Sequence, residues 1–222
     1  MRGTPSGYGP LGRVFNATVL LAVLALLVLA TPARAAGTLR ILALGDSLTA
    51  GFGLPPEESF TTKLEQALKA RGHDVSVING GVSGDTTAGG LARLDWSLAD
   101  SPGLVIVELG ANDGLRGIDP AATRANLDAI LTRLKERGIP VLLAGMYAPR
   151  NLGRDFAERF DRIFPELAAK HDVALYPFFL DGVATDPKLN QPDGIHPNAA
   201  GVAVIVERIV PAVEPLVRAA QG

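Results

Sequence analysis

The run "LRILALG", Leu39 to Gly45, opens into "DSLTAG", Asp46 to Gly51. So short and nearly unbroken an apolar run fits a strand covered on both faces better than a helix. "VSVING" (Val75 to Gly80), "LVIVELG" (Leu104 to Gly110) and "PVLLAGMY" (Pro140 to Tyr147) repeat the pattern, and "DVALYPF" (Asp172 to Phe178) is a weaker fifth. Helix-like segments alternate with them, over Ser59 to Arg71, Thr87 to Leu98, Pro120 to Arg137, Arg154 to Lys170 and Pro197 to Ala219. Strand and helix in alternation predict an α/β fold: a three-layer α/β/α sandwich around a central five-stranded parallel sheet, with right-handed crossovers.

Ahead of the first strand, Arg2 and Arg13 precede an apolar run, Ala17 to Ala30, that ends in the small-residue pattern Ala33-Arg34-Ala35. This is the pattern of a secretory signal peptide cleaved after Ala35. The run is short for a bilayer span, which needs roughly 20 apolar residues. Residues 1–35 are therefore read as a signal peptide and 36–222 as a single domain. The expectation is an exported protein, periplasmic or secreted, with no stable membrane insertion after cleavage.

The full chain has a formal charge of −2. Losing Arg2, Arg13 and Arg34 and no acid makes the mature chain three charges more negative, and nothing in this balance points to a nucleic-acid partner. There is no cysteine. Disulfides, a thiol nucleophile and a thiolate metal site are thereby excluded.

In open parallel sheets ligands bind beyond the carboxyl ends of the strands. Those ends lead into "GDSLTAG", "NGGVSGDTT", "GANDG" and "GMYAPRN". Ser47, two residues past the first strand, is the nucleophile candidate. A serine hydroxyl needs a base within hydrogen-bond reach, most often an imidazole held by a carboxylate. "DGIHPN" offers both: Asp193 and His196 can meet if the backbone folds back between them, which Gly194 permits. His73 and His171, which follow helix ends, read as surface turn residues.

Acyl transfer also needs donors for an oxyanion. The backbone N–H of Gly84 and the side-chain amide of Asn112 stand at strand ends, although Gly84 also reads as a turn glycine and Asn112 as a helix N-cap. Asp46, Asp85 and Asp113 read as acceptors that brace the loops. Met146 and Tyr147 leave the fourth strand at the same edge, and with Leu115 and Ile195 they are candidate walls of an apolar groove beside Ser47. Met146 and Tyr147 read equally well as strand-end core, and Ile195 as a loop anchor.

Four blocks, "GDSLTAGFG" (Gly45 to Gly53), "GVSGDTT" (Gly81 to Thr87), "GANDGLRG" (Gly110 to Gly117) and "DGIHPN" (Asp193 to Asn198), resemble in order and spacing the marker blocks of the SGNH (GDSL) hydrolases. Within that family the chain is most similar to the bacterial periplasmic thioesterase I, lysophospholipase and arylesterase group. The resemblance spans essentially the whole mature chain and implies a flavodoxin-like SGNH hydrolase fold. It further implies Ser47 as nucleophile and, through its own N–H, as an oxyanion donor beside Gly84 and Asn112. His196 would be the general base and acid, and Asp193 its orienter. Pro192 departs from the acid or amide that the group often carries there, and touches none of these roles. The G-x-S-x-G elbow of α/β-hydrolases is absent.

The activity expected is hydrolysis of acyl esters or thioesters through an acyl-enzyme, on a small acyl ester or a lysophospholipid, with no metal or cofactor. Two alternatives stand beside it. A carbohydrate O-deacetylase uses the same blocks, but sugar sites need aromatic platforms, and this chain is 5% aromatic with one Trp. A non-catalytic, flavodoxin-like binding module would leave Ser47, Asn112, Asp193 and His196 a coincidence.

Overall fold

β1 (Leu39–Gly45), β2 (Val75–Gly81), β3 (Leu104–Glu108), β4 (Val141–Ala144) and β5 (Ala174–Tyr176) form one parallel sheet in the order β2-β1-β3-β4-β5. The computed structural model describes residues 37–222 and, apart from them, Gly3. The segment read as a signal peptide, residues 1–35, lies outside the described residues except for Gly3. Every residue of β3 and β4 is buried, which is why those strands, Glu108 apart, are continuously apolar. The register sets Gly81, Gly45, Glu108, Ala144 and Tyr176 in one row across the carboxyl edge.

The helices are α1 (Ser47–Ala50), α2 (Phe60–Ala70), α3 (Thr87–Ala92), α4 (Leu94–Ser97), α5 (Ala111–Leu115), α6 (Pro120–Glu136), α7 (Arg154–Asp161), α8 (Ile163–His171) and α9 (Ala199–Gln221). α2 and α9 pack together on one face of the sheet, and α3, α6 and α8 on the other. α9 buries Val202, Ile205, Val206, Ile209, Val210, Val213 and Val217 at helical spacing. Each such side chain contributes about 1.5–3 kcal/mol of burial. Among the described residues no helix is long and apolar enough to cross a membrane.

Two expected helices are each divided. Thr87 to Leu98 breaks at Arg93, and Arg154 to Lys170 breaks at Arg162. In the second case Pro165 has no N–H to give the Asp161 carbonyl, so the first helix cannot run on. The two histidines read as surface turns are also corrected. His171 is only 7% exposed, with Nε2 2.5 Å from Asp128 Oδ1 on α6. His73 is half-buried, with Nε2 3.0 Å from Glu214 Oε1 on α9. His73 follows a helix end and His171 is the last residue of α8, but a neighbouring helix brings a carboxylate over each.

The carboxyl edge is closed by glycine. A Cβ on Gly81 would lie 2.2 Å from Ala50 N, and one on Gly45 2.1 Å from Thr49 Oγ1, so only glycine lets α1 settle onto β1 and β2. Glu108 ends β3 beneath that helix, wholly buried. Thr49 Oγ1 donates to its Oε2 at 2.7 Å, and among the described residues Oε1 has no partner. Burial, and secondarily the nearby Asp46 carboxyl, pushes Glu108 well above its ordinary value of 4.5.

A carboxyl whose folded pKa is raised binds its proton more tightly when folded than when unfolded. Its contribution to stability is full below the unfolded pKa and is lost as pH rises through the folded one. The urea midpoint should therefore decline as pH rises above about 4.5, and Glu108→Gln, which cannot ionise, should flatten that decline. Superimposable pH profiles for the two proteins would show that Glu108 does not titrate with folding.

Candidate active site

The turn from β1 into α1 carries Ser47 as the first helical residue. Asp46 caps that helix: its Oδ1 accepts from Leu48 N at 3.0 Å, and its Oδ2 accepts from Asn112 Nδ2 at 3.0 Å. Asp46 is fully buried, which pushes its carboxyl up to about 6 against the pull of these two donors. The pull matters more for Asp46 than for Glu108, to which no N–H donor among the described residues comes closer than 3.4 Å. Of this close pair of carboxyls, Glu108 is thus the better keeper of a proton.

From the far end of the chain, the "DGIHPN" loop brings His196 Nε2 to 2.9 Å from Ser47 Oγ, and His196 Nδ1 to 2.7 Å from Asp193 Oδ2. Gly194 has φ +76°, the left-handed turn that folds the loop back on itself. Asp193 Oδ1 then accepts from both Ile195 N and His196 N at 3.0 Å. The His196 ring and these two backbone N–H groups hold the Asp193 carboxyl down at about 2, so it stays ionised beside the imidazole.

Two residues not singled out from sequence complete this arrangement. Gln191 Nε2 donates to Phe52 O at 2.7 Å and to Pro197 O at 3.0 Å, and Gln191 N donates to His196 O at 2.7 Å. One side chain thereby ties the segment after Ser47 to the loop that carries His196. The Phe52 ring lies against the His196 ring, with centroids 4.5 Å apart. Phe52 stands inside the first marker block, but nothing in the sequence pairs it with a residue so distant.

The loop after β2 is held from two sides. Arg93 Nε donates to Asp85 Oδ2 at 2.7 Å while its Nη2 donates to Gly45 O at 2.8 Å. Asp113 accepts from Thr87 N at 2.9 Å, Thr87 Oγ1 at 2.5 Å and Thr123 Oγ1 at 3.1 Å. The three aspartates thus act as braces between loops. Gly84 has φ +81°, and the N-cap of α5 is Gly110 and not Asn112, whose amide is left to Asp46 and the cavity. Among the described residues the Ser47 and Gly84 backbone N–H groups donate to no other backbone group.

Ser47, Gly84, Asn112 and His196 line one cavity of about 540 Å³. All four groove candidates line it too: Leu115, Met146, Tyr147 and Ile195. Met146 is buried, whereas the other three are about half exposed. Met146 thus belongs to the buried core and also borders the cavity. Tyr147 stacks on Phe178, which extends the apolar lining. Among the described residues no cluster of His, Cys, Asp and Glu has the disposition to hold a metal ion.

A sequence profile of the GDSL-like lipase/acylhydrolase family matches residues 43–204. Esterase TesA of Pseudomonas aeruginosa is 43% identical over 191 residues, covering 86% of this chain and 94% of that protein. Thioesterase 1/protease 1/lysophospholipase L1 of Escherichia coli strain K12 is 40% identical over 185 residues, covering 83% of this chain and 88% of that protein. Among solved structures, AlinE4, an SGNH-hydrolase family esterase, is 51% identical with a TM-score of 0.69, covering 80% of this chain and 96% of that one. The chain belongs to the GDSL-like lipase/acylhydrolase family and is an acyl ester hydrolase.

Proposed function

We propose that Ser47 is the nucleophile of this hydrolase and that the reaction passes through an acyl-enzyme. The observation that carries the reading is the hydrogen-bonded run Asp193, His196, Ser47 at an apolar cavity. As Ser47 Oγ attacks the ester carbonyl carbon, its proton passes to His196 Nε2, and ionised Asp193 stabilises the imidazolium. The carbonyl oxygen becomes an oxyanion facing the N–H groups of Ser47 and Gly84 and the amide of Asn112. Collapse breaks the ester bond, and the alcohol or thiol leaves with the proton from His196. Water then gives a proton to His196 and attacks the acyl carbon; the acid departs and Ser47 recovers its hydrogen.

The substrate class we assign is lysophospholipids and other small acyl esters, with thioester cleavage incidental. The apolar lining supports an acyl group in the cavity over an acetylated sugar. The names of the relatives, esterase and lysophospholipase among them, point the same way. We assign residues 1–35 to a signal peptide and the enzyme to the periplasm or the exterior, where acyl-CoA is scarce.

Ser47→Ala should abolish both hydrolysis of an aryl ester and labelling by a fluorophosphonate, with circular dichroism unchanged. His196→Asn should be nearly as damaging, and the double variant little worse than either alone, because residues acting as a unit are non-additive. Independent multiplicative losses would refute a Ser-His unit.

Asn112→Ala should lower kcat more than it raises KM, by about 2.7–4 kcal/mol of transition-state stabilisation, since the oxyanion exists only there. A change confined to KM would make Asn112 a substrate-binding residue instead.

With acyl chains of increasing length, kcat/KM should improve by up to about 0.8 kcal/mol per methylene until the cavity is full. Met146→Ala or Leu115→Ala should flatten or shift that dependence. Profiles that overlay the wild type, or a preference for acetyl esters, would remove the acyl groove and favour the deacetylase.

A further inference from the structure

At the lip of the cavity, the segment carrying Leu115 and Arg116 meets the segment from Tyr147 to Arg150: a Cβ on Gly114 would lie 3.3 Å from Pro149 Cδ. Arg150 lines the cavity, lies over the Tyr147 ring at 5.5 Å and is neutralised by Asp161 at 2.7 Å. Arg116 has no such partner. Its Nη2 donates to Gly84 O at 2.7 Å, and among the described residues it faces no carboxylate, whereas Arg93 is paired with Asp85. Arg150 thus lines the cavity with its charge paired, and Arg116 stands beside the lining residue Gly84 with no carboxylate partner among the described residues. An uncompensated cation stands exposed against the glycine whose N–H faces the oxyanion, in a chain whose net charge is negative.

If an acyl chain seated in the cavity with its carbonyl at Ser47 sends its alcohol half outward past Gly84, which lines the cavity, that half meets this cation. Arginine presents a planar fork of donors that matches a phosphate bidentately. We infer that Arg116, assisted by Arg150, forms a subsite for a phosphate carried a few bonds beyond the ester oxygen on the alcohol half of the substrate. This rests on the assignment of Ser47 as nucleophile. It makes Arg116 a specificity-determining residue, because an uncharged alcohol of equal size gains nothing there.

The test compares kcat/KM for two monomeric esters of one acyl chain, dodecanoyl glycerophosphocholine and monododecanoylglycerol. Arg116→Gln should lower the ratio of the phosphate-bearing ester to the neutral one by about tenfold or more, with Arg116→Lys intermediate. Added salt should lower the wild-type ratio. Equal losses on both esters would overturn the subsite and leave Arg116 a support for the Gly84 loop.

A binding arm needs no turnover. The ether analogue of dodecanoyl glycerophosphocholine, titrated calorimetrically into the Ser47→Ala protein, should bind about tenfold or more tighter than to the Ser47→Ala, Arg116→Gln double variant. Equal affinities would overturn the subsite even if Ser47 is confirmed, and Arg116-dependent binding would uphold it even if Ser47 is not the nucleophile. Inorganic phosphate tests the other source of this chemistry. Competitive inhibition that Arg116→Gln relieves, with the ester ratio unmoved, would overturn the substrate assignment in favour of a free-anion site.

Discussion

Asp46 decides where Ser47 stands. Its carboxyl is wholly buried, and its two oxygens accept one N–H from the helix that begins at Ser47 and one from the side chain of Asn112. Burying a charge is costly unless donors replace the lost water, so Asp46 can be ionised only while both bonds are made. The same bonds orient the hydroxyl and the amide toward one cavity. Beneath them the Glu108 carboxyl gains too few donors to compensate its burial, which pushes its pKa well above the ordinary value.

The other loops are joined by the same means. With no cysteine, nothing covalent holds the four strand-end segments in register. Asp113 joins the second segment to the third, and Arg93 joins Asp85 of the second to the Gly45 carbonyl of the first. These bonds are partly or wholly buried, where removing one partner leaves the other unsatisfied. The cost of any one failing keeps the arrangement unique, and a donor set must be held still to serve a charge that exists only transiently.

The loop bearing His196 depends on different constraints. Its sharp return needs the positive φ of Gly194, and Asp193 uses one oxygen on the backbone and the other on the imidazole. Gln191 and Phe52 then fix that loop against the first segment across 139 residues of chain. The aromatic face beside His196 limits how far the ring can turn away from Ser47.

The amino-acid sequence alone determined the parallel sheet, because strands buried on both faces are nearly unbroken apolar runs. It also determined which segments share the carboxyl edge, because all strands of a parallel sheet end on the same side, whereas the strand order came from the structure. Ser47, Gly84, Asn112, Asp193 and His196 were legible as candidates on that ground, as were Leu115, Met146, Tyr147 and Ile195. Gln191, Phe52, Arg93 and Glu108 were not, since each acts on a partner distant in sequence through an amide, a ring, a guanidinium or a carboxyl of common type. Only the tertiary structure decided that Glu108 lies in the dark beneath Asp46, that helices cover His73 and His171, and that Ser47 and His196, 149 residues apart, stand 2.9 Å from each other. Hydrogen bonding and desolvation depend on distance through space, and a linear pattern encodes that distance only within an element.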